Sequence, residues 1–367
     1  MNNGNRAKRA TRAAGLLMAG CAALVLAWPQ TGATSGDDAP QVRTVKIDMG
    51  AYTEPPMGLD PVLAPRDNPQ TPEKIALGKQ LFFDPRLSVD GTLACAGCHD
   101  PKLGWSNGLS FAFGVKGQTG GRSAPTVLNT AYSDTLFWDG RAPSLEEQAK
   151  GPMANPIEMG NTHENVVKTL KAIPGYVSQF ETVFGSADFD IDHVVKAIAA
   201  YERTLISGNS PFDRYKYGGE KDAMSASQVR GMELFREKEG PNCAKCHRFD
   251  DFTADLTDFR FHNVGVGIDR PDPDLGREAV TKNPEDRGKF RTPTLRNITL
   301  TGPYMHDGRF ATLEQVIDYY AKGTVDNPTL DPEIHSFELS PRDKADLLAF
   351  LEALTGDPLV EEAPVLP

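Results

Sequence analysis

The chain has 367 residues, 39% of them hydrophobic, a net charge of −11 and five cysteines. That length and composition suit one or two globular cores, and the acidic balance excludes a nucleic-acid binder while mildly favouring a basic docking partner. Four of the five cysteines fall in two short motifs, which leaves none for a disulfide framework.

The N-terminus reads as an export signal. Arg6, Lys8, Arg9 and Arg12 precede a 16-residue apolar run from Ala13 to Trp28, shorter than the roughly 20 residues that span a bilayer. Thr31-Gly32-Ala33 supplies a cleavage site, so residues 1–33 are assigned as a signal peptide and the mature protein is expected in the periplasm. Cleavage removes four positive charges and no negative one, taking −11 to −15. Ala19-Gly20-Cys21 resembles a lipoprotein box, but the apolar run continues through Leu26, so a lipid anchor at Cys21 is the less favoured reading.

Residues 34–69, rich in Pro, Gly and Asp, read as an extended lead-in. A helix should start at Thr71 with Pro72 in its first position and carry Ile75, Leu77, Leu81 and Phe82. It leads to Cys95-Ala96-Gly97-Cys98-His99. A helical pattern over His193–Ile206 and a Gly/Lys/Asp-rich linker over Gly208–Asp222 follow. Ser225 and Gln228 form a capping box for a helix ending in Leu234-Phe235, which leads to Cys243-Ala244-Lys245-Cys246-His247. The two lead-ins share Gly-x-x-Leu-Phe at Gly78–Phe82 and Gly231–Phe235, a short internal repeat. Thr312 and Gln315 cap a helix running to Gly323, with Leu313, Val316, Ile317 and Tyr320 on its apolar stripe. A last helix runs from Ser340-Pro341 to Gly356. Strand-like alternation is scarce. The expected class is all-α, two cytochrome c-like haem domains with long loops, over residues 70–212 and 213–356, and a tail over 357–367.

C-x-x-C-H is the attachment motif of c-type haem: both thiols add to porphyrin vinyl groups and the histidine ligates iron. Paired CxxC motifs also bind zinc, but a histidine follows both copies here. Two haem c groups in one exported chain imply electron chemistry.

Longer stretches carry a family resemblance. They are Leu81–Ser88, the first motif, Ala124–Asn129, Phe137–Arg141, Glu147–Pro152, Thr292–Asn297 and Pro303–Gly308. In these the chain resembles the bacterial dihaem cytochrome c peroxidases and their relative, the methylamine-utilisation enzyme MauG. The resemblance implies an acid/base glutamate 20 residues after the tryptophan of Phe-Trp-Asp-Gly, which is Glu158 counted from Trp138. It places Gln148 to hydrogen-bond peroxide and Pro152 to crowd the open face. Cleaving an O–O bond requires a group that takes a proton from one oxygen and returns it to the other, and burial suits a carboxyl to that task. Trp138 is the implied electron relay between the haems, and His306 the implied partner of a haem propionate. Ordinary members block the first iron with a histidine some sixteen residues after the motif, whereas Phe113-Gly114-Val115-Lys116 stands there and no histidine lies between His99 and His163. Tyr320 occupies the place where peroxidases carry methionine and MauG-type members tyrosine, so it is the expected ligand opposite His247. A phenolate favours ferric and higher states. Met305 is the alternative ligand.

The resemblance further implies a calcium ion held by the carbonyls of Thr301 and Pro303. Ser123 stands where the family has a calcium-binding asparagine, and Asn107 is the candidate substitute. His163, His193, His262 and His335 read as structural or surface residues. The implied function is reduction of hydrogen peroxide with electrons from a small c-type cytochrome or a cupredoxin, and the resemblance to often dimeric relatives makes a homodimer the candidate assembly. The alternatives are a MauG-like oxidase acting on a protein or organic substrate and a non-enzymatic dihaem electron carrier. The ferric protein should show a high-spin component from a five-coordinate first haem; an entirely low-spin spectrum would contradict this.

Overall fold

In the computed structural model, which describes residues 55–367, residues 55–71 carry no helix or strand. The signal peptide, Cys21 and the first part of the lead-in lie outside the described residues. Thr71 then caps α1 (Pro72–Phe83), its hydroxyl accepting the Lys74 amide at 3.2 Å. The proline at the first helical position needs no amide partner there. The first motif forms the short α2 (Cys95–Cys98). After a long irregular stretch come α3 (Leu145–Ala154), α4 (His163–Lys171), α5 (Pro174–Phe184) and α6 (Ile191–Glu202).

The segment read as a linker contains α7 (Pro211–Lys216), closed by a Ser210/Asp213 capping box. Its polar composition hid a buried function. Asp213 is fully buried against Arg296 at 2.8 Å, and Arg296 also donates to the carbonyls of Ala254 and Gly58. Removing one partner of such a pair leaves an unpaired buried charge, which is far more costly than the pair is favourable.

The second half has α8 (Ala226–Arg236), α9 (Glu278–Thr281), α10 (Leu313–Ala321) and α11 (Pro341–Glu352). Both expected capping boxes form, at Ser225/Gln228 and Thr312/Gln315. Helix α11 stops four residues before Gly356, because the Ala353 carbonyl is taken by the Phe212 amide. Helix α6 likewise ends at Glu202 rather than Ile206, where the chain turns to pair the Leu205 carbonyl with the Asn129 amide. The sheet content described is two dipeptides, β1 (Phe261–His262) and β2 (Phe290–Arg291), antiparallel with Phe261 opposite Arg291. The architecture is helix-rich with few strands.

Two hydrophobic clusters organise it. One gathers Leu77, Leu81, Phe82, Trp105, Val194, Ile198 and Tyr201 around α1 and α6. The other gathers Met232, Phe235, Leu347, Phe350 and Leu354 around α8 and α11. The Gly-x-x-Leu-Phe repeat acquires its reason here. A Cβ on Gly78 would sit 1.9 Å from the Ala197 carbonyl of α6, and one on Gly231 would sit 1.9 Å from the Asp346 carbonyl of α11. Each glycine lets two helices approach backbone to backbone. Gly78→Ala and Gly231→Ala should therefore each lower stability by about 1–3 kcal/mol through overpacking, read as a fall in thermal midpoint; unchanged midpoints would show that the crossings can relax.

Candidate functional site

Both motif histidines are held in the same way. His99 Nδ1 lies 3.3 Å from the Trp105 carbonyl and His247 Nδ1 lies 3.0 Å from the Leu256 carbonyl. With Nδ1 engaged as a donor, Nε2 is left as the ligating nitrogen of a neutral imidazole. Burial pushes both imidazole pKa values down, opposed in each case by those carbonyls and by the Pro125 or Pro293 carbonyl. Trp105 and Leu256 reach this geometry in the left-handed region, at φ 61° and 54°, an uncommon conformation for bulky residues. Each carbonyl accepts a second donor, the Val127 amide in the first half and the Leu295 amide in the second.

These correspondences belong to a duplication much longer than the sequence reading found. Pro125–Asn129 matches Pro293–Asn297, and nine residues on Trp138-Asp139-Gly140-Arg141 matches His306-Asp307-Gly308-Arg309. Asn129 and Asn297 both adopt positive φ, as do Phe137 and Met305 just before Trp138 and His306. Seven residues further on, α3 and α10 begin at Leu145 and Leu313 behind capping Ser144 and Thr312. In this register Pro152 of α3 and Tyr320 of α10 occupy one equivalent position, and Gln148 matches Val316. The spacing Pro-Thr-x-x-Asn-x8-x-Asp-Gly-Arg, present twice, was the signal available in the sequence.

A large cavity opens beside the second motif. Cys243, Cys246, His247, Tyr320, Ile317, Val316, Leu347 and Leu351 line it, and its wall continues past Ser123, Trp138, Thr301, Pro303, Met305 and His306. The structure thus brings Trp138, His306, Tyr320 and the proposed calcium carbonyls to one cavity with the second motif. Tyr320 is buried, and its phenol pKa is raised by burial and then by the neighbouring Cys243. The Tyr319 hydroxyl instead donates to the Val264 carbonyl at 2.9 Å. Ser123 joins the tryptophan to the histidine: its carbonyl accepts the Trp138 indole at 2.9 Å and its amide donates to the His306 carbonyl at 2.8 Å. The His306 ring stacks on Phe290 at 3.6 Å, and burial lowers its pKa to about 4.

Two cavity residues were missed by sequence reading. Arg291 lies in the wall with its Nε shielded from water and without a hydrogen-bond partner, as a site built for an acidic group requires. His262, read as structural or surface, bridges Asp331 (2.5 Å) and Asp258 (3.0 Å) in the cavity wall. Hydrogen bonding to Asp258, followed by Cys246, raises its pKa to about 11. Neither lies in a motif; long-range packing puts them there.

The first motif sits apart from that cavity. Burial, with the nearby Glu158 charge, raises the Cys98 thiol to about 11. Glu158 is half-buried with its carboxyl pKa raised by burial, against the lowering effects of Arg141 and an Asn155 hydrogen bond at 2.9 Å. The loop read as lacking a blocking ligand packs onto this segment, the Val115 amide donating to the Glu158 carbonyl at 2.8 Å. Val115 is its buried residue, while Phe113 and Lys116 are exposed. Gln148 and Pro152 are half-buried on α3, whose Met153 is in the core. Asn107 turns its amide oxygen to the Leu109 amide at 3.1 Å, which occupies part of its capacity as a calcium ligand.

The residues fit two c-type haems. All four motif thiols are unpaired, both histidines keep Nε2 free of the carbonyl bond, and the second cavity combines apolar walls at Val316, Ile317, Leu347 and Leu351 with a partnerless arginine nitrogen. The zinc reading fails on placement: among the described residues the one His/Cys/carboxylate group with metal-ligand spacing is Cys246, Asp258 and His262. No helix of the described residues is long and apolar enough to cross a membrane.

Comparison with known proteins agrees. The di-haem cytochrome c peroxidase family model matches residues 72–222. The chain is 46% identical over 306 residues to the methylamine utilization protein MauG of Methylorubrum extorquens, covering 83% of this chain and 84% of that one. It is 41% identical over 346 residues to the cytochrome-c peroxidase IdrP1 of Pseudomonas sp. strain SCT, covering 86% and 90%. A crystal structure of a MauG-like protein associated with microbial copper homeostasis superimposes with a TM-score of 0.71 at 33% identity, covering 88% of this chain and 96% of that one. Two haem-attachment motifs in a duplicated helical frame, and relatives of this identity along most of the chain, place this protein in the di-haem cytochrome c peroxidase and MauG family.

Proposed function

We propose that the chain is a periplasmic peroxidase that reduces hydrogen peroxide to water with electrons from a small c-type cytochrome or cupredoxin. In this reading residues 70–212 and 213–356 are two cytochrome c-like haem domains, the first open to peroxide and the second closed by His247 and Tyr320. Bound haem would supply at each site an iron that takes axial ligands and exchanges single electrons.

The observation that carries the proposal is the occupant of the duplicated position. Helices α3 and α10 present Pro152 and Tyr320 at the same place in the repeat. A proline side chain has no donor atom, so it restricts space without ligating, whereas a phenol can ligate. One site is thereby left for substrate and the other for electron storage. In the first, Glu158 takes the proton of one peroxide oxygen and returns it to the other, and the Gln148 amide orients the peroxide. A raised carboxyl pKa suits both halves of that transfer. Trp138 shares Ser123 with His306 and is the relay towards the second site. In the second cavity Arg291 and His306 are the propionate partners. A calcium ion would use the Thr301 and Pro303 carbonyls, with water in place of part of the Asn107 ligation.

The MauG-like alternative, oxidation of a protein or organic substrate, is favoured by the 46% identity to MauG. Against it, Pro241 and Asn242 precede the second motif in the cavity wall, and no tryptophan stands there to carry oxidising equivalents outward. A dihaem carrier would need two closed sites and no Glu158, Gln148 and Pro152 set.

Stopped-flow mixing of the fully ferric protein with stoichiometric peroxide should give a rapid spectral change without prior reduction. A reaction that waits for one added electron would establish a hidden sixth ligand at the first site. Glu158→Gln should slow that change roughly 10²–10⁴-fold while both haems stay attached. In the wild type the rate should fall as pH drops through a pKa above the ordinary carboxylate range, because the base form starts the transfer. Turnover that is unchanged in the variant would remove Glu158 from the mechanism. Tyr320→Phe should raise the number of cyanide ions bound per chain from one to two (roughly, since Phe has no donor), and a count that stays at one would shift the ligand assignment to Met305.

A further inference from the structure

At two equivalent buried places the first half carries an oxidisable side chain where the second half carries an inert one. Trp105 and Leu256 are equivalent, each lending its carbonyl to a motif histidine. Tyr201 and Phe350 are equivalent too, each four residues past the carbonyl that faces the repeat glycine. Both pack edge-on against the repeat phenylalanine, Tyr201 on Phe82 at 5.5 Å and Phe350 on Phe235 at 5.1 Å. Packing at these two places is therefore met by leucine and phenylalanine. An indole and a phenol are more than the core requires, and both are easily oxidised.

Their polar atoms lead outward. The Trp105 and Tyr201 rings lie 6.4 Å apart, and both residues are almost completely buried. The Tyr201 hydroxyl donates to Glu361 Oε2 at 2.6 Å, and that carboxylate pairs with Lys79 at 2.8 Å, where the side chains reach solvent. The C-terminal tail is fastened over the rings at the same points, since the Trp105 indole donates to the Leu359 carbonyl at 2.6 Å. A buried phenol hydrogen-bonded to a carboxylate can lose an electron and its proton together, without leaving a buried cation.

We propose that Trp105, Tyr201 and Glu361 form an escape route that carries unused oxidising equivalents from the first haem site to the surface. This rests on the reading of that site as the place of peroxide cleavage. Peroxide removes two electrons from the protein when no external carrier is present. One is replaced from Tyr201 by way of Trp105. The phenol proton passes to Glu361, giving a neutral tyrosyl radical and a protonated carboxyl. A small reductant that donates a hydrogen atom, such as ascorbate or a thiol, then restores the phenol while Glu361 releases its proton to water. A second passage removes the second equivalent.

The test is freeze-quench electron paramagnetic resonance of the holoenzyme after peroxide addition without a carrier, with ring-deuterated tyrosine to identify the radical. A tyrosyl signal that narrows on deuteration is expected in the wild type. Tyr201→Phe, which copies the packing of Phe350, should lose that signal and be inactivated by several-fold fewer equivalents of peroxide, with carrier-supported turnover unchanged. Glu361→Gln keeps a hydrogen-bonding side chain but is a poor proton acceptor, and should also weaken the signal. If peroxide is consumed and Tyr201→Phe shows the same radical and the same tolerance as wild type, the route is refuted and the residues only fasten the tail. If neither protein reacts with peroxide, the peroxidase reading itself fails and takes the route with it.

Discussion

Each half of this protein is arranged around one hydrogen bond, from a motif histidine to a main-chain carbonyl. An imidazole buried beside two cysteines could adopt either tautomer and several orientations. The Trp105 and Leu256 carbonyls remove that freedom by accepting Nδ1–H. To do so both residues sit at positive φ, at about 1–2 kcal/mol each for a residue with a side chain. The surrounding structure holds them there, because the same carbonyls also accept the Val127 and Leu295 amides. The Pro-Thr-x-x-Asn segments that contribute those amides continue into the turns bearing Trp138 and His306, and then into α3 and α10.

The duplication repeats this constraint and varies the side chains around it. A single frame, with glycine-mediated helix crossings at Gly78 and Gly231, is built twice and then differentiated at a few side chains. Pro152 faces Tyr320 across the repeat, Gln148 faces Val316, and Trp138 faces His306. Glu158 and Gln148 stand half-buried in the first half. Tyr320, Arg291 and the Asp258–His262–Asp331 cluster stand in the second. Changing a handful of residues on a conserved scaffold leaves packing intact, which is why the helix cores of the two halves look alike while their sites do not.

The halves are also tied together by charges the sequence gives no reason to pair. Asp213, in a stretch that reads as a polar linker, closes a buried ion pair with Arg296. Arg122 spans Asp139 of the first half and Asp274 of the second, both at 2.7 Å. The tail beyond α11 returns to the first half, where Glu361 meets Lys79 and Tyr201.

Local chemistry made much of this legible beforehand. A C-x-x-C-H pentapeptide carries its cofactor chemistry in five consecutive residues, and a capping box or a proline at the first helical turn acts within four. The two haem sites, the starts of α1, α8, α10 and α11, and the apolar stripe containing Tyr320 were therefore readable from sequence alone. The ends of α6 and α11 were not, because hydrogen bonds to distant backbone, at Asn129 and Phe212, terminate them. Arg291 and His262 carry no local signature, and only the folded chain gives them a cavity to face. Spacing along a chain records what neighbouring residues do to one another. Which buried groups meet, and which are left without a partner, depends on contacts between segments a hundred residues apart, and those exist only in the tertiary structure.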